Sequence, residues 1–435
     1  MTHDRDHGYP DQPERRRWLR AATAAGAAPV IAGVPLAQAA VLAFSPAAFD
    51  VMPGSALIWI SANDAVRAHV RWGTTMDVLD RRSNEIELDR RVDYTGVVRL
   101  TGLPDGAAIF YRVFVGDTAV GSGRFNSVRT AAQPVSIAFS GDMEEKYKPF
   151  RLFDVIDAAK PDYFVHLGDT VYADIPKREF VPTQSHYRSK HARIRADRPL
   201  QAFLAAHGTY AIWDDHESQN DANGALPFMA VAEAVFREYW PCATVQPVGL
   251  YRAVRVAPAV ELIILDTRRF RSVQGMADGP DKTMLGSEQR QWFFDTLKRS
   301  RATWKIVATS VPFHGGSQDA WGNYKTERDE VVAFLKRSRI DNVVMISADY
   351  HFARDWSNKR TGIHEFMAGP IATFRAFDKT PETRERHSKG PHFVYGDDFN
   401  FGLLRFDPAD RSLTVSYQDG VGKTLFEQRL ATAGE

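Results

Sequence analysis

Between residues 135 and 347, six short apolar runs (135–139, 163–167, 209–213, 260–265, 304–309 and 343–347) alternate with stretches of helical pattern at 151–160, 225–239, 287–300 and 325–337. Runs of five or six residues without a polar face fit strands buried on both sides, and such strands belong to sheets covered by helices. This alternation confines residues 132–435 to an α/β layered domain. In such domains ligands gather where the strands end at their carboxyl side, so the residues that follow each run carry the information about chemistry.

Five of the runs are followed by oxygen or imidazole groups: Ser140-Gly141-Asp142, Gly168-Asp169-Thr170-Val171-Tyr172, Asp214-Asp215-His216-Glu217, Val311-Pro312-Phe313-His314 and Ala348-Asp349-Tyr350-His351. One Asp after a strand is an ordinary turn or cap residue. Five strand ends together, two with a His and a carboxylate within three residues, point to a shared centre. The chain has one cysteine, Cys242, so neither a disulfide nor a thiolate cluster is available. Carboxylates, imidazoles and a phenol suit hard or borderline cations. A pair of such cations forms the clamp used for phosphoryl displacement.

The first forty residues read as an export signal. Arg15-Arg16-Arg17-Trp18-Leu19-Arg20 is followed by no charge from Ala21 to Phe49, and the apolar stretch ends at Ala37-Gln38-Ala39, a small-x-small cleavage pattern. Gly26, Pro29, Gly33 and Pro35 interrupt the stretch, which argues against a membrane span. The expectation is a twin-arginine signal over 1–40 that engages the Tat machinery and delivers a folded, metal-loaded protein to the periplasm or outside. The whole chain holds 55 Lys plus Arg against 54 Asp plus Glu; residues 1–40 take five Arg and four acids, leaving 50 of each sign. That balance excludes nucleic acid as a bulk partner, since backbone phosphates need a basic excess. A monomer is expected.

Residues 41–131 alternate apolar with polar at 56–61, 67–72, 93–100 and 108–115, separated by Gly, Pro, Asn and Asp turns, which predicts a β-sandwich. The stretch Leu100-Thr101-Gly102-Leu103-Pro104-Asp105 leading to Tyr111 resembles fibronectin type III-like modules, in which such a Tyr closes a corner. This segment is read as a domain without chemistry of its own.

The five blocks, in their order, resemble the calcineurin-like metallophosphatases. The forms of Gly168 to Tyr172 and of Val311 to His314 are similar to purple acid phosphatases. Trp213-Asp214-Asp215-His216-Glu217, Leu265-Asp266-Thr267-Arg268 and the run from Leu285-Gly286-Ser287-Glu288-Gln289 to Trp304-Lys305 resemble the alkaline phosphatase D, or PhoD-like, family. That resemblance implies a metallophosphatase-type sandwich of mixed sheets flanked by helices. It also implies hydrolysis of phosphate monoesters or diesters by a hydroxide that bridges two metals. By the same resemblance Asp142, Tyr172 and His351 hold the first metal, Asp169 bridges both, and Asp215, His314 and Asp349 hold the second. The Tyr ligand implies Fe3+, and carboxylates at Asp215 and Asp349, where most metallophosphatases have Asn and His, favour Ca2+ beside it over Zn2+ or Mn2+. The resemblance makes His216 and Asp215 the catalytic residues, with His216 meeting the phosphoryl group and Glu217 orienting it. Two other readings stand beside it: a phospholipase D-type phosphodiesterase of lipids or wall polymers, and a non-catalytic extracellular binding protein.

Arg268 is a candidate phosphate clamp or the partner of Asp266, the second being favoured. The insertion 177–198 holds seven Lys or Arg against Glu179 and Asp197, which fits steering of an anion and a solvated helical face equally. His364, Tyr395 and Asn400 are placed beside the site rather than as ligands. His166 reads as a core residue, His186, His191 and His207 as surface residues, and Cys242 as buried and inert.

Overall fold

The computed structural model describes residues 42–432, apart from 244–245, 316–318, 359–360, 379–381, 383, 386–388 and 390–391. The expected export signal lies outside the described residues. The chain order begins with an all-β stretch: β1 (Ala47–Met52), β2 (Ser55–Ser61), β3 (Val66–Gly73), β4 (Arg81–Arg82), β5 (Ile86–Leu88), β6 (Thr95–Thr101), β7 (Ala108–Val115) and β8 (Thr118–Asn126). Strands and helices then alternate: β9 (Val135–Ser140), α1 (Leu152–Ala158), β10 (Tyr163–His166), α2 (Gln184–Arg195), α3 (Arg198–Ala206), β11 (Gly208–Ala211) and α4 (Met229–Tyr239). A second series follows: β12 (Arg252–Ala257), β13 (Val260–Ile264), α5 (Gly286–Arg299), β14 (Trp304–Ala308), α6 (Lys325–Arg337) and β15 (Val343–Ser347). The chain closes with β16 (Ala353–Asn358), β17 (Ile363–Met367), β18 (Phe393–Tyr395), β19 (Asn400–Phe406), β20 (Leu413–Asp419) and β21 (Thr424–Leu430).

Two large sheets carry the domain. One runs β21-β20-β19-β9-β10-β11-β1-β2-β6 and the other β12-β13-β14-β15-β17-β16-β18. Within them β9, β10 and β11 are parallel neighbours, as are β13, β14, β15 and β17. Alternate side chains divide each strand between two environments, the reason these strands read as continuous apolar runs. Ile137 and Phe139 of β9 face the space between the sheets, where they join Leu262 and Ile264 of β13 and Val344 and Ile346 of β15. Ala138 faces the other way, towards Phe153, Phe164 and Phe203 beneath α1 and α3. On the far side Ile263, Val307 and Met345 pack under α5 and α6, whose Phe294 and Phe334 stack at 4.1 Å. The layers are therefore helix, sheet, sheet, helix. Each such buried large side chain contributes about 1.5–3 kcal/mol.

Residues 42–131 form no α-helix. Their strands split: β1, β2 and β6 extend the nine-stranded sheet, β1 pairing parallel with β11 through Phe49 and Thr209. Strands β3, β4, β5, β7 and β8 make a separate five-stranded sheet that packs its Val70, Trp72, Tyr111 and Val113 into the same core. The hydroxyl of buried Tyr111 donates to the Pro46 carbonyl at 3.3 Å. Sheet pairing thus runs across residue 131, where the sequence places a domain boundary. The strands missed by the sequence reading are β1, β4, β5, β8, β12 and the last six.

Candidate metal centre

The strand ends form the site through an unusual backbone. Asp142 (φ 67°), Asp169 (φ 51°), Asp349 (φ 77°) and His351 (φ 59°) all adopt the left-handed region, which side chains with a Cβ rarely occupy. Such outliers persist where the surroundings over-determine them, and they gather at functional sites. Neighbouring turns are stitched together: the N–H of Asp142 donates to Gly168 O (3.1 Å), that of Met143 to Asp169 O (3.0 Å) and that of Ala348 to Ser310 O (3.1 Å). Gly369 presses on Asp142 so closely that a Cβ there would lie 2.5 Å from Oδ2. Asn400 holds that glycine from both sides, accepting from its N–H (3.1 Å) and donating to its carbonyl (2.5 Å).

Among the described residues four overlapping groups present ligand atoms that lie within 4.8 Å of one another: Asp142, Asp169 and His351; Asp169, Asp215 and His216; Asp214, Asp215 and Asp349; Asp215, Asp221 and Asp319. Asp169 belongs to two groups and Asp215 to three, so these two carboxylates link the groups into one cluster. The phenol of Tyr172 lies 3.0 Å from His351 Nε2. Burial, followed by the charges of neighbouring carboxylates, pushes the carboxyls of Asp142, Asp169 and Asp349 well above their usual range. Asp142 Oδ2 and Asp215 Oδ1 are buried with no hydrogen-bond partner. Leaving charged oxygens buried and orphaned is costly, whereas cations between them satisfy every one. The donor set fits a multinuclear metal centre.

One protein cation answers part of this charge. Arg268 is fully buried, and its guanidinium meets Asp214 (2.6 and 2.9 Å) and Asp319 (2.8 and 2.5 Å) in two forks. Asp215 and Asp349 lie just beyond at 3.8 and 4.0 Å. Its donors are engaged by these carboxylates and the Ala222 carbonyl (3.4 Å), which removes Arg268 from the role of phosphate clamp. The favoured partner Asp266 is also displaced: it accepts the backbone N–H of Arg268 (3.0 Å), Arg269 (2.9 Å) and Leu250 (2.9 Å) and the indole of Trp213 (2.9 Å). Burial alone would raise the Asp319 carboxyl, but Arg268 and Arg271 outweigh it and hold that carboxyl below the usual range.

His216 stacks on the ring of Tyr172 (centroids 4.1 Å apart, planes at 27°) and its backbone N–H donates to Asp169 (3.3 Å). Burial works against its charged form, yet Asp215 and the hydrogen-bonded Asp174 prevail and raise its pKa to about 9. Nδ1 is 2.6 Å from Asp174, so Asp174 orients the ring, and not Glu217. Glu217 instead accepts from the backbone and hydroxyl of Thr170 (2.6 and 2.7 Å) and from Asp214 N–H (2.8 Å), tying two strand ends together.

His314 is not brought to this cluster. Buried Glu365 accepts the backbone N–H of both Phe313 and His314 (2.7 Å each) and draws the turn against β17, leaving His314 Nε2 3.3 Å from the Ile363 carbonyl. The basic insertion also has structural partners: Arg188 pairs with Glu238 (2.6 Å), Arg193 with Glu145 (3.3 Å), and Lys190 is buried. His191 and His207, read as surface residues, are buried. Sequence reasoning did not single out Asp174, Asp214, Asp221 or Asp319 as part of the site. Asp214 stands beside Asp215 in the third block and Asp174 two residues after Tyr172, which are usable signals; Asp221 and Asp319 follow no strand and carry none.

Two facing mixed sheets with a carboxylate-rich strand-end edge are the architecture of the metallophosphatases. The fold is similar to a solved structure of PhoD, with a TM-score of 0.78 at 20% identity over 91% of this chain and 93% of that one. It is also similar to a purple acid phosphatase from yellow lupin (Lupinus luteus), with a TM-score of 0.61 at 14% identity over 89% and 74%. The model of the PhoD-like phosphatase family matches residues 137–417, and the chain belongs to this family. A curated relative is alkaline phosphatase D of Bacillus subtilis (strain 168), 26% identical over 372 residues. That match takes in 71% of this chain and 63% of the length of the relative.

Proposed function

We propose that the protein is an exported, metal-dependent hydrolase of phosphate esters, acting on monoesters, diesters or both. The observation that carries this reading is the pair of orphaned oxygens, Asp142 Oδ2 and Asp215 Oδ1, inside a buried cluster with more carboxylates than cations. Asp142, Tyr172 and His351 would hold one cation, Asp215 and Asp349 another, and Asp169 both. The phenol ligand favours Fe3+, and the carboxylates favour Ca2+ over Zn2+ or Mn2+ at the second position. When bound, the cations neutralise the cluster, lower the pKa of water and act as Lewis acids towards phosphoryl oxygen. His216, charged and locked by Asp174, donates from Nε2 to the phosphoryl or leaving oxygen. Arg268 holds Asp214 and Asp319 so that the remaining carboxylates stay aimed at the cations. Export rests on Arg15, Arg16 and the Ala37-Gln38-Ala39 pattern.

The test is Asp169→Ala: metal content by elemental analysis and turnover of a phosphomonoester and a phosphodiester are expected to fall together. Full activity in that variant sinks the proposal. Comparing rates on a monoester and a phospholipid separates a general phosphatase from a lipid diesterase.

A further inference from the structure

The five-stranded sheet has one face in the core and the other outward, and the outward face has an arrangement that stability alone does not explain. Pairing registers place Arg82 of β4, Arg71 of β3 and Arg112 of β7 as direct cross-strand partners, with Ser122 of β8 completing the row. Like charges directly opposite on a sheet are destabilising. The neighbouring rows add Phe110 opposite Arg124 and His69 opposite Phe114. The Arg71 guanidinium lies 4.8 Å from the Phe114 ring, which stacks on His69 at 5.3 Å.

Little on the protein answers this charge. Among the described residues no carboxylate forms an ion pair with Arg71, Arg112 or Arg124; Arg112 donates only to the Met76 carbonyl (3.3 Å), and Arg82 lies 3.4 Å from His69 Nδ1 and reaches Glu85 only at 3.9 Å with both side chains exposed. The acids that face the patch, Glu85, Glu87 opposite Arg67, Asp117, and Asp157 near Arg124, sit at its edges. A groove of about 190 Å³ between the sheet and α3 continues the patch, lined by Met76, Phe110, Arg112, Arg124 and Ala205.

We propose that this face binds a linear phosphate polymer, the arginine row meeting successive phosphates and the Phe rings flanking the track of the chain. Charge complementarity selects the occupant: planar guanidinium forks in line match phosphates repeated along a chain, and interleaved aromatics are the pattern of backbone-tracking grooves. The β-rich lobe thereby anchors a polymer independently of the metal centre.

The test is equilibrium binding of the full protein to long-chain inorganic polyphosphate across a range of salt. Phosphate release is followed in the same samples, so that loss of binding and loss of catalysis are read separately. Wild type is expected to bind with a steep salt dependence. Arg71→Gln with Arg112→Gln is expected to weaken binding about tenfold or more and to lower the salt slope by about 1.4, at ~0.7 for each phosphate no longer neutralised. Turnover of a small monoester stays unchanged in that variant, since neither residue touches the metal cluster. Arg124→Gln gives a single-site reading should the double variant fold poorly. The control Arg299→Gln with Arg301→Gln removes the same charge elsewhere. Unchanged binding in the arginine-row variants, an equal loss in the control pair, or binding to phosphatidylglycerol vesicles but not to polyphosphate would each overturn the proposal.

Discussion

Asp174 accepts a hydrogen bond of 2.6 Å from Nδ1 of His216, and its second oxygen accepts the backbone N–H of Asn220 at 2.9 Å. The carboxylate is thus fixed before it fixes the ring. With Nδ1 committed, Nε2 is the nitrogen left to meet substrate, and the adjacent charge keeps the imidazole protonated. Asp174→Asn removes that charge and leaves either tautomer of the ring equally held. kcat is expected to fall about 10–100-fold with metal content unchanged, as steady-state kinetics and elemental analysis on the same preparation will read. Loss of metal in the variant would instead make Asp174 part of the metal shell.

Arg268 lies between Asp214 and Asp319 with no exposure to solvent. Removing one side of a buried ion pair leaves the other uncompensated, which costs about 3–5 kcal/mol. Arg268→Met is therefore expected to lower the urea midpoint by that equivalent in the metal-free protein. A change within the range of a surface substitution would mean that cations, not Arg268, neutralise these acids.

How much of this was legible in the sequence follows from how far each contact reaches along the chain. Five strand-end blocks were visible because a buried parallel strand is a compact apolar run and its ligand follows within a few residues. The alternation of β9, β10, β11, β13, β14 and β15 with α1, α4, α5 and α6 followed from the same local pattern. The partner of Arg268 was not visible, because Asp214 and Asp319 lie 54 and 51 residues away and only the fold brings them together. Likewise, Glu365 pulls His314 aside across 51 residues, and nothing near Val311 signals it. The arginine row needed strand registers, which alternation does not specify across a loop.

Two buried histidines outside the carboxylate cluster make acid stability predictable. His166 and His191 are fully buried with no hydrogen-bond partner on either ring nitrogen, and burial, assisted by the charge of Arg195, lowers the pKa of each to about 3. An unfolded histidine binds its proton near pH 6.5, so below that value the unfolded chain holds more protons than the folded one. Stability is therefore full above pH 6.5 and is lost as pH falls towards 3, at about 1.4 kcal/mol per pH unit for each ring. Between pH 6.5 and 5, His191→Phe is expected to lose about 2 kcal/mol less than wild type in urea titrations. Parallel losses in the two proteins would show that His191 takes up its proton in the folded state.

Gly369 tests the backbone rather than a ligand. Its φ of 141° and the 2.5 Å approach of a would-be Cβ to Asp142 Oδ2 leave no room for alanine. Gly369→Ala is expected to displace the Asp142 carboxylate and reduce bound metal while near-UV circular dichroism stays native. Normal metal content would show that the turn yields instead.

Tyr172 offers the most direct reading of the metal. Burial first, then the charges of Asp169 and Asp142, push its phenol well above the ordinary tyrosine range, so the side chain is neutral at pH 7 unless a cation takes the place of its proton. A tyrosinate in this protein is therefore a report of bound metal, and a visible charge-transfer band is the report of ferric iron. Purified protein is expected to be coloured, and Tyr172→Phe to lose the band while keeping its fold, because the ring stacked on His216 is retained. A colourless wild type that carries two divalent cations per chain would retain the centre but remove iron from it. A colour unchanged in Tyr172→Phe would move the ligand to another residue.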